Sequence, residues 1–168
     1  MSAVQLQRQL GLSRYETAFQ ILHKLRAGMV RPDQDRIGGR PGEHVEVDET
    51  WAGGRTRGKG RGYASLAKRG YKHLAIAERG DPQVAEEYLP IIHLVFANLK
   101  TWLNGIHHGV SHQHLQAYLN EFTFRFNRRF YPFNAFRSLL GIAGGVTAPT
   151  YAELYSGAWK HPTSWGCG

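Results

Sequence analysis

IIHLVFANLKTWLNGIHHGVSHQHLQAYLNEFTFRFNRR, residues 91–129, is the stretch whose reading decides the fold. Ile91, Ile92, Val95, Phe96, Leu99, Trp102 and Leu103 recur at three- and four-residue steps, which predicts a helix with one apolar stripe that stops at Gly105. Opposite the stripe lie His93, Ala97 and Lys100. Seven residues are nearly two helical turns, so His93 and Lys100 stack on one polar face, about 10 Å apart along the axis. A second helix follows, with Ser111 as its cap. Leu115, Tyr118, Leu119, Phe122 and Phe126 form its expected core face, and it ends in Arg128 and Arg129.

The run 93–136 contains F-A-N-L-K-T-W-L-N-G, H-H-G-V-S and E-F-T-F-R-F-N-R-R. It resembles the C-terminal part of the catalytic domain of bacterial insertion-sequence transposases of the DDE type. Within these it is similar to the subgroup that places a Lys seven residues after the third metal-ligand position and sometimes carries His or Asn there in place of Glu. In that register the third position is His93 and its companion is Lys100, a DNA contact near the cut. The resemblance implies a ribonuclease-H-like (integrase-type) fold, in which a mixed sheet flanked by helices carries the first Asp on its first strand. It implies DNA as partner, self-association or pairing with a full-length transposase, and Mg²⁺ or Mn²⁺ as cofactor.

The 168 residues suit one domain, and 42% hydrophobic with 20% charged content is that of a globular protein. No apolar run approaches the length of a membrane span and no signal-peptide core is present, so the expected location is cytoplasmic. A single Cys167 makes no internal disulfide and supplies no cysteine cluster for zinc. The formal charge of +8 favours a polyanionic partner. Seven Lys or Arg fall between Arg55 and Lys72 with no acid among them. Such a run is either a solvated basic loop or a DNA-facing one, and Arg55, Arg57, Lys59 and Arg61 are its candidate DNA contacts.

Residues 1–30 predict two short helices. Val4, Leu6 and Leu10 support the first, Gly11 breaks it, Ser13 with Glu16 forms a capping box, and Phe19, Leu22 and Leu25 give the second its buried face. This is the outline of a helix-turn-helix offering Arg14, Tyr15, Gln20 and Lys24 to a groove, and equally that of an ordinary helical hairpin. A Pro/Gly/Asp-rich linker covers 31–43. In V-E-V-D-E-T-W, strand alternation puts Val45 and Val47 on one face and Glu46 and Asp48 on the other. A rigidly held carboxylate suits a hard divalent cation. The resemblance assigns Asp48 as the first catalytic Asp, so Asp48 and His93 are the candidate metal ligands and Asp48, His93 and Lys100 the candidate catalytic set. Further on, 62–71 predicts a short helix closed by Gly70, and 72–80 a short strand. Asp81-Pro82 predicts a helix start, and Pro90 a kink or restart near Leu89.

Between Asp48 and the segment that resembles the part of the family after its second Asp, only residues 49–60 remain. Twelve residues do not hold three strands and a helix at ordinary lengths. No Asp lies between Asp48 and Asp81. The expectation is an internal deletion, joined near 58–62, which removes the second catalytic carboxylate. A two-metal mechanism needs a carboxylate to bridge its cations, and imidazole matches Mg²⁺ less well than Mn²⁺ or Zn²⁺.

His107, His108, His112 and His114 read either as loop and cap residues or as a zinc site without supporting acids or cysteines. Arg125, Arg128, Arg129 and Arg137 interleave with aromatics as core plus solvated face, or as a DNA-tracking surface. Thr150 caps a last short helix, and Trp159 and Trp165 lie in the tail. The expected fold is thus α/β and helix-rich: an incomplete ribonuclease-H-like domain over 44–157, after a helix-turn-helix-like pair over 1–30 and before a tail over 158–168. The expected function is that of a transposase-derived protein impaired in cleavage and strand transfer. The alternatives are a non-catalytic DNA-binding protein or inhibitor of full-length transposase, and a remnant without function.

Overall fold

A computed structural model describes residues 1–30, 37–38, 41–50, 65–68, 70–76, 81–145, 147–156 and 158. In chain order its helices are α1 (Ala3–Gln9), α2 (Tyr15–Ala27), α3 (Ser65–Lys68), α4 (Pro82–Tyr88), α5 (Pro90–Trp102), α6 (Leu115–Asn127), α7 (Pro132–Ala143) and α8 (Tyr151–Ser156). The chain divides into two units, Met1–Gln34 with Ile106–Gly168, and Asp35–Gly105. No strand occurs among the described residues. Of the α/β expectation only the helix-rich part is therefore seen. Residues 43–50 and 71–76 lack the ladder partner that makes extended backbone into sheet, and the rest of 72–80 lies outside the described residues.

In the first unit, Ser2 caps α1 by accepting from the amide of Gln5 at 3.2 Å. Gly11, at φ +61°, turns the chain as expected, because a side chain there would meet its own backbone. The predicted Ser13–Glu16 capping box does not form. The helix starts at Tyr15, so Arg14 occupies the cap position without a side-chain bond and Ser13 falls outside it.

The inward faces of α2 and α6 also differ from expectation. α2 buries Ala18, His23, Arg26 and Ala27 and leaves Leu25 exposed. α6 buries Tyr118, Asn120, Glu121 and Phe124, while Phe122 and Phe126 are half-buried and stack on each other with centroids 5.6 Å apart. The cause is one ion pair: Arg26 Nε donates to Glu121 Oε2 at 2.8 Å with both side chains buried. Arg26 also lies 4.0 Å over the Tyr118 ring. Pairing the buried charge through Nε, while Nη1 and Nη2 lie buried without a hydrogen-bond partner, goes with this rotation of both helices. Where α2 ends, Gly28 lies so near α7 that a Cβ on it would sit 2.8 Å from Ala143 Cβ. The predicted Thr150 cap is present. Thr150 Oγ1 accepts from the Glu153 amide at 3.3 Å, and Glu153 Oε2 accepts from the Thr150 amide at 2.7 Å.

In the second unit, Asp81 caps α4 by accepting from Gln83 N at 2.9 Å, with Pro82 in the first turn. Leu89 (φ −133°, ψ 40°) interrupts the helix and Pro90 restarts it as α5, matching the restart expected there. Leu99 and Leu103 of the apolar stripe are buried and Ile92, Val95, Phe96 and Trp102 half-buried, while Ile91 is exposed. The helix does not stop at Gly105. It widens into a π turn, Leu103–His107, and ends where His108 and Gly109 take φ of +53° and +113°. An isolated Gly only weakens a helix, whereas two successive left-handed residues end it.

Removing one partner of the buried pair strands the other. Arg26→Met or Glu121→Leu is expected to lower unfolding free energy by about 3–5 kcal/mol, and the double variant to recover most of it. Urea denaturation of the four proteins of this cycle checks both statements.

Candidate functional site

Asp48 and His93, distant in sequence, meet in the second unit. Asp48 Oδ2 lies 3.4 Å from His93 Nε2, an ion pair when the imidazole is protonated. The side chains keep 30% and 41% of their accessible surface, so the pair is open to a ligand. Two residues earlier on the same face of the extended segment, Glu46 Oε2 accepts from the Ile92 amide at 2.7 Å. Leu89 offers α5 no side-chain cap and Pro90 has no N–H, so Glu46 caps the first turn of α5 from a distant segment. The alternation read from the sequence thus holds in direction: both acids address α5, and Val45 packs near Gly38 on the other side.

These donors bear on whether a metal centre fits. Adjacent ligands of one octahedral cation at Mg²⁺–oxygen distance lie about 3 Å apart, so Asp48 and His93 suit neighbouring positions around a single ion. Glu46 is committed to the α5 amide. No group of three or more His, Cys, Asp or Glu side chains with metal-binding geometry occurs among the described residues. A two-metal centre does not fit this donor set.

Lys100 is exposed two turns beyond His93. Arg14, at the cap of α2, and Lys24, on it, are exposed, and α2 packs on α1, α6 and α8. Arg55, Arg57, Lys59 and Arg61 lie outside the described residues. Arg128 and Arg129 do more for their own helix than expected. Their Nη1 atoms donate to Phe124 O at 3.2 Å and Phe126 O at 2.8 Å, closing the C-terminus of α6, with the guanidiniums over the Phe124 and Phe126 rings.

One constellation was missed from sequence. In the first unit His23, His107 and His114 gather around Phe19 and Tyr118: ring centroids lie 4.9 Å apart for His23–His114, 4.2 Å for Phe19–His23 and 4.6 Å for His107–Tyr118. A cavity of about 430 Å³ opens beside them, lined by Phe19, His107, His114 and Tyr118 among others. Burial lowers the His23 pKa to about 3, reinforced by Arg26 and His114, and that of His107 to about 4. His114 is lowered by burial and by Arg26, and burial raises the Tyr118 phenol. The sequence signal that was available is Glu121, the one acid between Glu87 and Glu153.

Only with this geometry in view do comparisons with known proteins add to it. Residues 58–127 match the family model described as the ISXO2-like transposase domain. The matched segment is under half of the chain. It contains His93, Lys100 and all of α4 to α6, and excludes Asp48, α1, α2 and α7. No curated protein and no solved structure matches. Among the described residues no helix is long and apolar enough to cross a membrane.

The buried histidines give this unit a pH dependence with a definite sign. The folded protein holds their pKa values below the unfolded value of 6.5, so the unfolded chain binds more protons between about pH 3 and 6.5. Their contribution is complete above pH 6.5 and is lost as pH falls toward 4 and 3. Each contributes a slope of at most about 1.4 kcal/mol per pH unit in that window. Denaturation midpoints measured from pH 7 to 5 are expected to fall, and His23→Leu to flatten the fall.

Proposed function

We propose that this chain is a transposase-derived DNA-binding protein with the remnant of a DDE-type catalytic centre. The observation that carries the reading is the approach of Asp48 to His93, 3.4 Å between residues 45 positions apart in sequence. These are the residues that the family register names for the first and third ligand positions, and the match of residues 58–127 to an ISXO2-like transposase domain supports that register. Asp48 and His93 hold at most one cation, Mg²⁺ or more readily Mn²⁺, and Lys100 contacts DNA beside it. The second carboxylate is lost with an internal deletion between Asp48 and Ser65, which also took the middle of a ribonuclease-H-like sheet. Cleavage and strand transfer are accordingly impaired, while DNA binding persists through the basic segment 55–72, Arg14 and Lys24. The N-terminal pair acts as a helix-turn-helix-like module. A partner that such a protein would meet is a full-length transposase, whose DNA ends it occupies.

The second reading, a non-catalytic occupant of DNA ends, is favoured by the engagement of Glu46 Oε2 with the α5 amide and by the lack, among the described residues, of a third ligating side chain beside Asp48 and His93. One experiment tests both the loss of catalysis and the retention of DNA binding. DNA nicking is assayed with Mg²⁺ and then Mn²⁺, for this chain and for Asp48→Ala, beside duplex binding over a range of salt. We expect no metal-dependent nicking above the Asp48→Ala background. We also expect binding whose logarithmic salt dependence falls by about 0.9 per phosphate contact. Nicking abolished by Asp48→Ala would show an intact centre and refute the impairment. Absence of any salt-dependent binding would refute the DNA reading altogether.

A further inference from the structure

α7 buries none of its residues. Phe130, Tyr131, Phe133 and Phe136 are exposed, Phe133 to 92%. Arg129 is held between two rings, 4.1 Å from the Phe126 centroid and 4.4 Å from that of Phe130, and Arg137 follows one turn after Phe133. From Phe122 to Ala152 the chain has four arginines and no acid. Four exposed aromatics within seven residues form a concentration of apolar surface of the kind that marks a binding site.

The charge decides between occupants. Arg125 already pairs with Glu121, but a second copy would bring Arg129 and Arg137 of both chains together with no acid from 122–152 to meet them, a juxtaposition that costs rather than stabilises. A polyanion meets them favourably. In duplex DNA the bases are stacked on one another and inaccessible to side-chain rings, whereas each unstacked base of a single strand presents a π face. Guanidiniums preset against rings add cation–π contact while they pair with phosphates.

We propose that the exposed face of Phe130–Phe136, with Arg129 and Arg137, is a stacking platform for single-stranded DNA. This rests on the DNA-binding reading above and goes beyond it, since α7 lies outside the segment that matches the transposase domain.

The test is fluorescence anisotropy on the full chain, with labelled oligo(dT), oligo(rU) and a duplex of equal length at one salt concentration. The chain is expected to prefer oligo(dT) to the duplex. Phe133→Ala and Phe136→Ala are each expected to weaken oligo(dT) binding at least about fivefold while duplex binding stays within about twofold. Phe133 is so exposed that its truncation leaves the fold intact, and circular dichroism checks this. Unchanged oligo(dT) binding in both variants, or equal losses on single strand and duplex, would overturn the platform while the broader DNA reading stands. Loss of binding to every nucleic acid by the wild-type chain would overturn both. Tighter binding of oligo(rU) than oligo(dT) would overturn the assignment to DNA. A dimer seen by light scattering that Phe133→Ala disperses would assign the face to a second copy and refute the proposal.

Discussion

The ion pair between Arg26 and Glu121 sets the arrangement of the first unit. Its partners lie 95 residues apart, and both side chains are buried. A charge taken from water is tolerated only where its partner is held in place, so α2 and α6 must meet at one rotation about each axis and one register along them. Tyr118, Phe124 and Ala18 become core as a result of that rotation, and Leu25 does not. The aromatic histidines follow from the same geometry. Arg26 lies against Tyr118, and its positive charge adds to burial in keeping His23, His107 and His114 neutral. Apolar burial is non-directional, whereas the ion pair fixes one pair of atoms at 2.8 Å.

In the second unit the organising contact is between carboxylates and the start of a helix. α5 begins with Pro90 after an uncapped Leu89, so its first amides need acceptors from elsewhere. Glu46 supplies one, and this fixes the extended segment along the helix start. Once Glu46 is placed, a residue two positions on and about 7 Å further along the same face arrives beside the next residues of α5. That residue is Asp48, and what it meets is His93. The candidate site is therefore a consequence of how α5 is capped. The positive end of the helix dipole lies close by, which suits carboxylates there with or without a cation.

Much of this is legible in the sequence, and the inward faces that are not share one cause. Helix positions followed from spacing and from local chemistry: Gly11, Asp81-Pro82, Leu89-Pro90 and Thr150 all act as read, because each signal is contained within a few residues. The inward faces did not follow, because they depend on a partner far along the chain. Leu25 and Phe122 look like core from within their own helices, and only the pairing of Arg26 with Glu121 turns them aside. The strand expected from V-E-V-D-E-T-W is not formed among the described residues, although Glu46 and Asp48 are less exposed than Val45 and Val47, the alternation the pattern expects. Whether it is sheet depends on a neighbour that local pattern cannot supply. Gly105 was overread as a stop; the stop is the left-handed pair His108-Gly109.

The same contrast accounts for the exposure of α7. Helix α2 gains its place from a long-range ion pair and α8 from a capping box together with Gln113, whose Nε2 donates to Leu154 O and Tyr155 O at 3.1 Å. α7 half-buries Ala135, Ser138, Leu139 and Ile142 on its inner face, fully buries no residue, and approaches α2 closely at its C-terminal end, where Ala143 meets Gly28. An amphipathic helix packed along one face presents the other, here aromatic, to whatever binds it. With arginines on that face and no acid for thirty residues around it, the electrostatics of the surface select against its own kind and for phosphate.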